Sequence, residues 1–144
     1  MQLDLLDYAR TLRQRDSEVW CQVRRRWLAL QPEELVRQAL ISYLVERGYS
    51  PALMQLERKV GQTNDRLDLL VLDRAQAPFL LVEVKAPGYD LQPAMHQLAH
   101  YNRHWNAPYA LAVNGEAAIC LHLDFEAEAV QLLDAVPGYP VDNA

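Results

Sequence analysis

The sequence has little of what would announce a special chemistry. It holds two cysteines, Cys21 and Cys120, in 144 residues, with no CxxC and no paired spacing. That excludes a zinc knuckle and a disulfide framework, and free thiols fit a reducing cytoplasm. Lysine is nearly missing. Lys59 and Lys85 stand against 12 arginines, so positive charge comes mostly as planar forks suited to carboxylate or phosphate. Basic charge is short overall, with 14 Lys and Arg against 19 Asp and Glu and a net of −5. Taken alone, that argues against a generic nucleic-acid coating protein. No apolar run approaches the ~20 residues of a membrane span. Asp4 and Asp7 stand where a signal peptide would be basic and then apolar. No repeat or low-complexity tract is visible, and no G-x-x-x-x-G-K-[ST] loop occurs. The expectation is a cytoplasmic protein with no membrane partner.

What is present is ordinary globular material, 51% hydrophobic and 23% charged, too apolar for disorder. The length suits one domain of the usual ~100–200 residues. We divide 1–144 into an N-terminal extension (1–30), a core (31–124) and a C-terminal tail (125–144). Charge is uneven. Residues 1–72 carry a net of +1 and residues 73–144 a net of −6.

In the extension, Asp16-Ser17 reads as the turn of a β-hairpin between 8–13 and 19–30. Val19, Val23, Trp27 and Leu30 also fit helical spacing. Pro32-Glu33-Glu34 starts a helix, with proline at its first position and acids at its positive end. Leu35, Val36, Ala39, Leu40, Tyr43 and Leu44 form its apolar face, and Gly48 stops it. Residues 54–60, 66–73 and 79–85 read as strands. A helix runs from Pro93 to before Pro108, with Ala94, Leu98, Tyr101 and Trp105 as its core stripe. Residues 109–113 and 117–123 are strands across an Asn114-Gly115 turn. The tail after Pro137 reads as irregular. This order predicts an α/β domain with a mixed sheet.

Three charges interrupt the apolar strands. Glu83 and Lys85 lie two apart in Phe79-Leu80-Leu81-Val82-Glu83-Val84-Lys85, so they share a face at a spacing of about 6.6 Å. Asp68 intrudes likewise into Arg66-Leu67-Asp68-Leu69-Leu70-Val71. Burying unpaired charge is costly. A structural ion pair of Lys85 with Glu83 or Asp68 is one resolution. The other notes that Asp68 can face Glu83 across an antiparallel pair. Two carboxylates that close repel unless a cation such as Mg²⁺ lies between them.

Asp68 followed by Glu83-x-Lys85 on the next strand resembles the motif of the PD-(D/E)XK nuclease superfamily. Pro32-Glu33-Glu34-Leu35-Val36-Arg37-Gln38, Glu57, Arg66-Leu67-Asp68, Leu81-Val82-Glu83-Val84-Lys85-Ala86-Pro87, Gln97-x-x-x-Tyr101-Asn102 and Asn114-Gly115 follow in order. That set is similar to the N-terminal nuclease domain of type I restriction enzyme R subunits, over residues 24–124. Leu67 replaces the proline of the motif, and Gln31 stands where a threonine helix cap is common.

The resemblance implies a restriction-endonuclease-like core and Mg²⁺-dependent (or Mn²⁺-dependent) hydrolysis of DNA, by a small member without the ATPase motor. Asp68, Glu83 and the backbone carbonyl of Val84 are implied metal ligands. Lys85 is implied to position the attacking water. Gln97 and Tyr101, four apart on a helix, are implied to meet the site or the DNA together, while core packing is the alternative for Tyr101. Glu57 is a candidate supporting carboxylate, or a solvated strand residue. Arg66 shares a face with Asp68 and could clamp a phosphate or pair with an acid. Arg24-Arg25-Arg26, beside Trp20 and Trp27, is either a DNA-contact strip or a solvated face. DNA, a separate motor or defence-system subunit, and a second copy of the chain are the expected partners.

Three other readings stay open. A catalytically silent module of the same fold could bind nucleic acid or a protein, and a structural accessory subunit is a further alternative. His96-Gln97-Leu98-Ala99-His100 has the outline of HExxH, with His104 one turn on. But Gln97 cannot take a proton as the zincin glutamate does.

Overall fold

The computed structural model describes residues 1–141. A short helix α1 (Leu6–Ala9) leads into three short strands, β1 (Gln14–Arg15), β2 (Glu18–Cys21) and β3 (Arg26–Ala29). Helix α2 (Pro32–Glu46) follows, then β4 (Met54–Lys59), β5 (Arg66–Leu72) and β6 (Pro78–Val84). Helix α3 (Gln92–Trp105) precedes β7 (Tyr109–Val113), β8 (Ala118–Asp124) and β9 (Ala129–Leu133). The strands β4 to β9 form one six-stranded sheet in sequence order. Only β6 and β7 are parallel, because α3 carries the chain back across the sheet between them. The expected α/β architecture with a mixed sheet flanked by helices is present.

Two apolar layers sandwich the sheet. Val36, Leu40 and Leu44 of α2 pack with Leu69, Leu80, Val82 and Val113. Ala94, Leu98 and Tyr101 of α3 pack with Leu70, Leu81, Ala110 and Ala112. Strand β6 is buried along its length after Pro78, which is why its sequence reads as nearly continuous hydrophobic residues. Alternation puts Leu80, Val82 and Val84 toward α2. Leu81 points toward α3, and Glu83 and Lys85 continue that row.

The helix limits follow their signals. Pro32 opens α2, Glu33 and Glu34 fill its first turn, and Gln31 makes no side-chain cap bond. Gly48 turns away at φ +92. Helix α3 ends at Asn106 in the left-handed region. Asn102 bonds both backbone groups of Ala107, at 2.9 and 2.8 Å, which locks the exit. At Asn114-Gly115, Asn114 Oδ1 accepts from the amides of Glu116 and Ala117. Gly115 has φ +92, and a Cβ there would lie 3.3 Å from Leu6 and Val36.

Two readings need correction. The extension is more than a hairpin. The Asp16-Ser17 turn is present between β1 and β2, but its first arm is Gln14–Arg15 and not 8–13, which holds the end of α1 and no strand, and a second turn through residues 22–25 adds β3. Arg25 has φ +55, which breaks the helical reading of 19–30. Val19 and Trp27, which helped set that segment's periodicity, lie on two different strands, β2 and β3. The tail contributes β9, the edge of the main sheet. Its Val130 and Leu132 are 64% and 71% exposed, so no buried apolar face marked it in the sequence. Residues 138–141 have no regular structure, as expected after Pro137, and residues 142–144 lie outside the described residues. Among the described residues no helix is long and apolar enough to cross a membrane.

Candidate active site

The antiparallel ladder between β5 and β6 stops at Leu69 opposite Val82. The next positions in that register are Asp68 and Glu83. Here side chains replace backbone partners. The amide of Asp68 donates to Glu83 Oε1 at 3.3 Å. The amide of Val84 donates to Asp68 Oδ2 at 2.8 Å. The sheet thus splays where the two acids enter, and each carboxylate is tied to the neighbouring strand.

Neither acid meets a cation within salt-bridge distance among the described residues. The structural ion pair with Lys85 is therefore not formed. Glu83 is only 3% exposed. Burial, and next the charge of Asp68, push its carboxyl up to about 8. Burial also raises Asp68, against the pull of the Val84 amide. Lys85 lies half-buried at the end of β6, close enough for its charge to favour ionisation of both acids. Its amide donates to the Val113 carbonyl at 2.9 Å, so the parallel pairing holds its backbone.

Glu57 completes a row across three strands. Leu56 pairs with Leu69 and Arg58 with Leu67, which leaves Glu57 opposite Asp68 and unpaired. Its φ is +52, strain of ~1–3 kcal/mol for a non-glycine residue. Arg24 Nη2 holds Glu57 Oε2 at 2.8 Å, and that bond, with Arg37 and Arg66 nearby, keeps its carboxyl below the usual range. A cleft of about 300 Å³ opens here, lined by Arg24, Glu33, Glu34, Arg37, Glu57 and Asp68 among others.

Sequence reasoning missed Glu34 and Arg37 as site residues. Arg37 is 6% exposed and forks onto Glu34 at 2.8 and 2.5 Å. Its Nη1 reaches the Asp68 carbonyl at 3.5 Å and Glu57 at 3.7 Å. Burial works against this charge, but Glu34, Glu57 and Asp68 outweigh it and raise the guanidinium's pKa. Gln38 donates to Glu34 at 3.1 Å and leaves its own Oε1 buried without a partner. The signal was available. Arg37 and Gln38 sit between Val36 and Ala39, inside the buried face of α2.

On the other layer, Gln97 Nε2 donates to Tyr101 Oη at 2.6 Å. Tyr101 is buried, and burial raises its pKa, with Asp65, Glu83 and Asp68 adding to the rise. Tyr101 packs in the core with Leu98 and Leu81, and it lies near enough to Glu83 and Asp68 for their charges to act on it. Arg66 is exposed on β5, and Arg25 and Arg26 are exposed away from the cleft. Of the basic triplet only Arg24 reaches it. His96, His100 and His104 are exposed along α3.

The donors at the crossing suit a hard cation. Two carboxylates and a carbonyl are the oxygen ligands that Mg²⁺ or Mn²⁺ takes. Buried Glu83 against half-buried Asp68, with no ion pair to either among the described residues, is the observation that fits such a group. Among the described residues no cluster of three or more His, Cys, Asp or Glu side chains could hold a metal. The pair would therefore rely on the Val84 carbonyl, water and substrate for its remaining ligands.

The sequence profile described as "Type I restriction enzyme R protein N terminus" matches residues 32–137. No curated protein sequence matches. Among solved structures, the chain is similar to a fragment assigned to an HsdR subunit of a type I restriction enzyme from Vibrio vulnificus YJ016. The TM-score is 0.51 at 18% identity, over 95% of this chain and 24% of that one. At that identity the likeness speaks for the fold. This chain spans about a quarter of that relative's length.

Proposed function

The chain belongs to the family of type I restriction enzyme R protein N-terminal regions, and from that membership and the crossed acids we propose that it hydrolyses phosphodiester bonds of DNA with Mg²⁺ or Mn²⁺. The observation that carries this reading is the crossed pair of buried Glu83 and half-buried Asp68, neither of which makes a side-chain ion pair among the described residues. Asp68, Glu83 and the Val84 carbonyl are the residues that would hold the cation. When bound, it supplies charge stabilisation at the phosphate and a more acidic water.

The protein's own groups do the rest. Lys85 orients the attacking water and meets negative charge as it develops on the phosphate oxygens. Gln97 donates to the Tyr101 oxygen, which leaves the Tyr101 hydroxyl proton free for an acceptor such as a phosphate oxygen. Glu34, Arg37, Glu57 and Arg24 form a braced wall that fixes where Asp68 stands. Arg66 is a further candidate phosphate clamp. DNA, a larger restriction assembly with its motor, and a second copy for cutting the second strand belong to the same reading. So does a cytoplasmic setting, supported by two buried free thiols.

The test is cleavage of supercoiled and linear DNA with Mg²⁺ or Mn²⁺, beside Asp68→Ala and Lys85→Ala. Cutting by the wild type alone supports hydrolysis. No cutting by the wild type, or equal cutting by all three proteins, sinks it. The silent-module reading draws on the near-complete burial of Glu83, and it predicts DNA or protein binding with no cleavage under any metal.

A further inference from the structure

The small N-terminal sheet has two unlike faces. Val19 and Cys21 are fully buried, and Leu28 pairs with Val19 on that side. Trp20 and Trp27 pair on the opposite face, edge to face at 5.5 Å. Arginines lie over them. The Arg13 guanidinium sits 4.9 Å from the Trp20 ring and 5.2 Å from the Trp27 ring. The Arg15 guanidinium sits 4.2 Å from the Trp27 ring.

A guanidinium stacked on an indole keeps its N–H edge for other acceptors, and the stack restricts the side chain beforehand. Arg15 Nε meets Glu18 at 3.2 Å. That pair is exposed, so solvent and salt weaken it. The charge around this face is concentrated. Residues 10–26 hold six arginines and two acids, a net of +4, so the rest of the chain carries −9. The same sheet leads into the cleft, because the β2–β3 turn delivers Arg24 to the wall beside Asp68.

We propose that the Arg13, Arg15, Trp20 and Trp27 face is a second contact for the DNA backbone, with the two arginines as preset phosphate forks. This rests on the reading of DNA as the substrate. It adds a strand-holding surface some way from the acids and continuous with them through Arg24. Phosphate is the occupant that planar forks on a locally positive, aromatic-backed face would take.

The experiment titrates the full chain against a fluorescein-labelled 20-bp duplex in EDTA, from 50 to 200 mM salt. Arg13→Ser with Arg15→Ser should weaken binding about tenfold and make the salt slope shallower by about two. Arg13→Lys with Arg15→Lys should keep the slope and lose several-fold in affinity, because charge stays and the fork goes. Thermal melting of each variant confirms folding, since both side chains are exposed. An unchanged slope in the serine variant overturns the proposal. So does retention of the wild type on polyglutamate with no binding to duplex, which would assign the face to an acidic protein. Cleavage separates the two ideas. Slope loss in a chain that never cuts DNA removes the hydrolytic reading alone. Cutting with an unchanged slope removes the forks alone.

Discussion

Asp68 and Glu83 exchange hydrogen bonds crosswise, each side chain accepting from the backbone of the other's strand. Glu83 takes the Asp68 amide, and Asp68 takes the amide just beyond Glu83. The arrangement satisfies two amides at a splayed sheet end. It also presses buried Glu83 against half-buried Asp68, so the cost of holding them appears in their titration.

That cost predicts a pH dependence without metal. The native carboxyl of Glu83 stands at about 8 against an ordinary 4.5, so the native state keeps a proton that the unfolded chain releases. Its stabilising contribution is full below about 4.5 and is lost as pH rises through about 8. In EDTA the Tm should fall between about pH 5 and 8 and level off above that. Glu83→Gln should flatten that fall, and an equally steep fall in the variant would count against the assignment.

Divalent cation should reverse the loss, because it selects the ionised pair. At pH 8, a concentration of Mg²⁺ or Mn²⁺ a hundred times its dissociation constant should add about 2.7 kcal/mol to stability. Calorimetry with and without EDTA measures this. Asp68→Ala should show no such gain.

Lys85 should separate chemistry from folding. It is half-buried and makes no ion pair with either acid. Lys85→Ala should leave urea stability within about 1 kcal/mol while reducing cleavage by roughly 10²–10³-fold. A collapse in stability that matches the loss of activity would make the residue structural.

Arg37 should behave the other way. Its fork onto Glu34 is buried, and truncation leaves that carboxylate without its partner. Arg37→Ala should cost about 3–5 kcal/mol in urea denaturation. Arg37→Lys should recover only part of it, because one ammonium cannot reproduce the two parallel bonds. Full recovery by lysine would show that charge alone matters at this position.

The core elements were legible because their signals are local. Pro32 with two acids, the apolar stripe of α3 and the run of β6 each depend on near neighbours in sequence. Asp68, Glu83 and Lys85 were legible for a related reason, since charge inside an apolar strand stands out wherever the strand goes. The edge strand β9 was not, because a strand exposed on both faces leaves no apolar alternation to read. The helical spacing of Val19, Val23, Trp27 and Leu30 misled because two short strands joined by a turn can place apolar residues at the same intervals.

By itself, the sequence determined the order of the core elements, the three strand charges and the Gln97–Tyr101 spacing, all set by short-range periodicity. The tertiary structure decided that Asp68 and Glu83 cross rather than pair with Lys85, since strand register is a long-range choice. It also drew Arg24, Glu34, Arg37 and Glu57 to one wall from three separate segments. Ion pairs form between groups that packing brings together, and no spacing along the chain encodes that meeting.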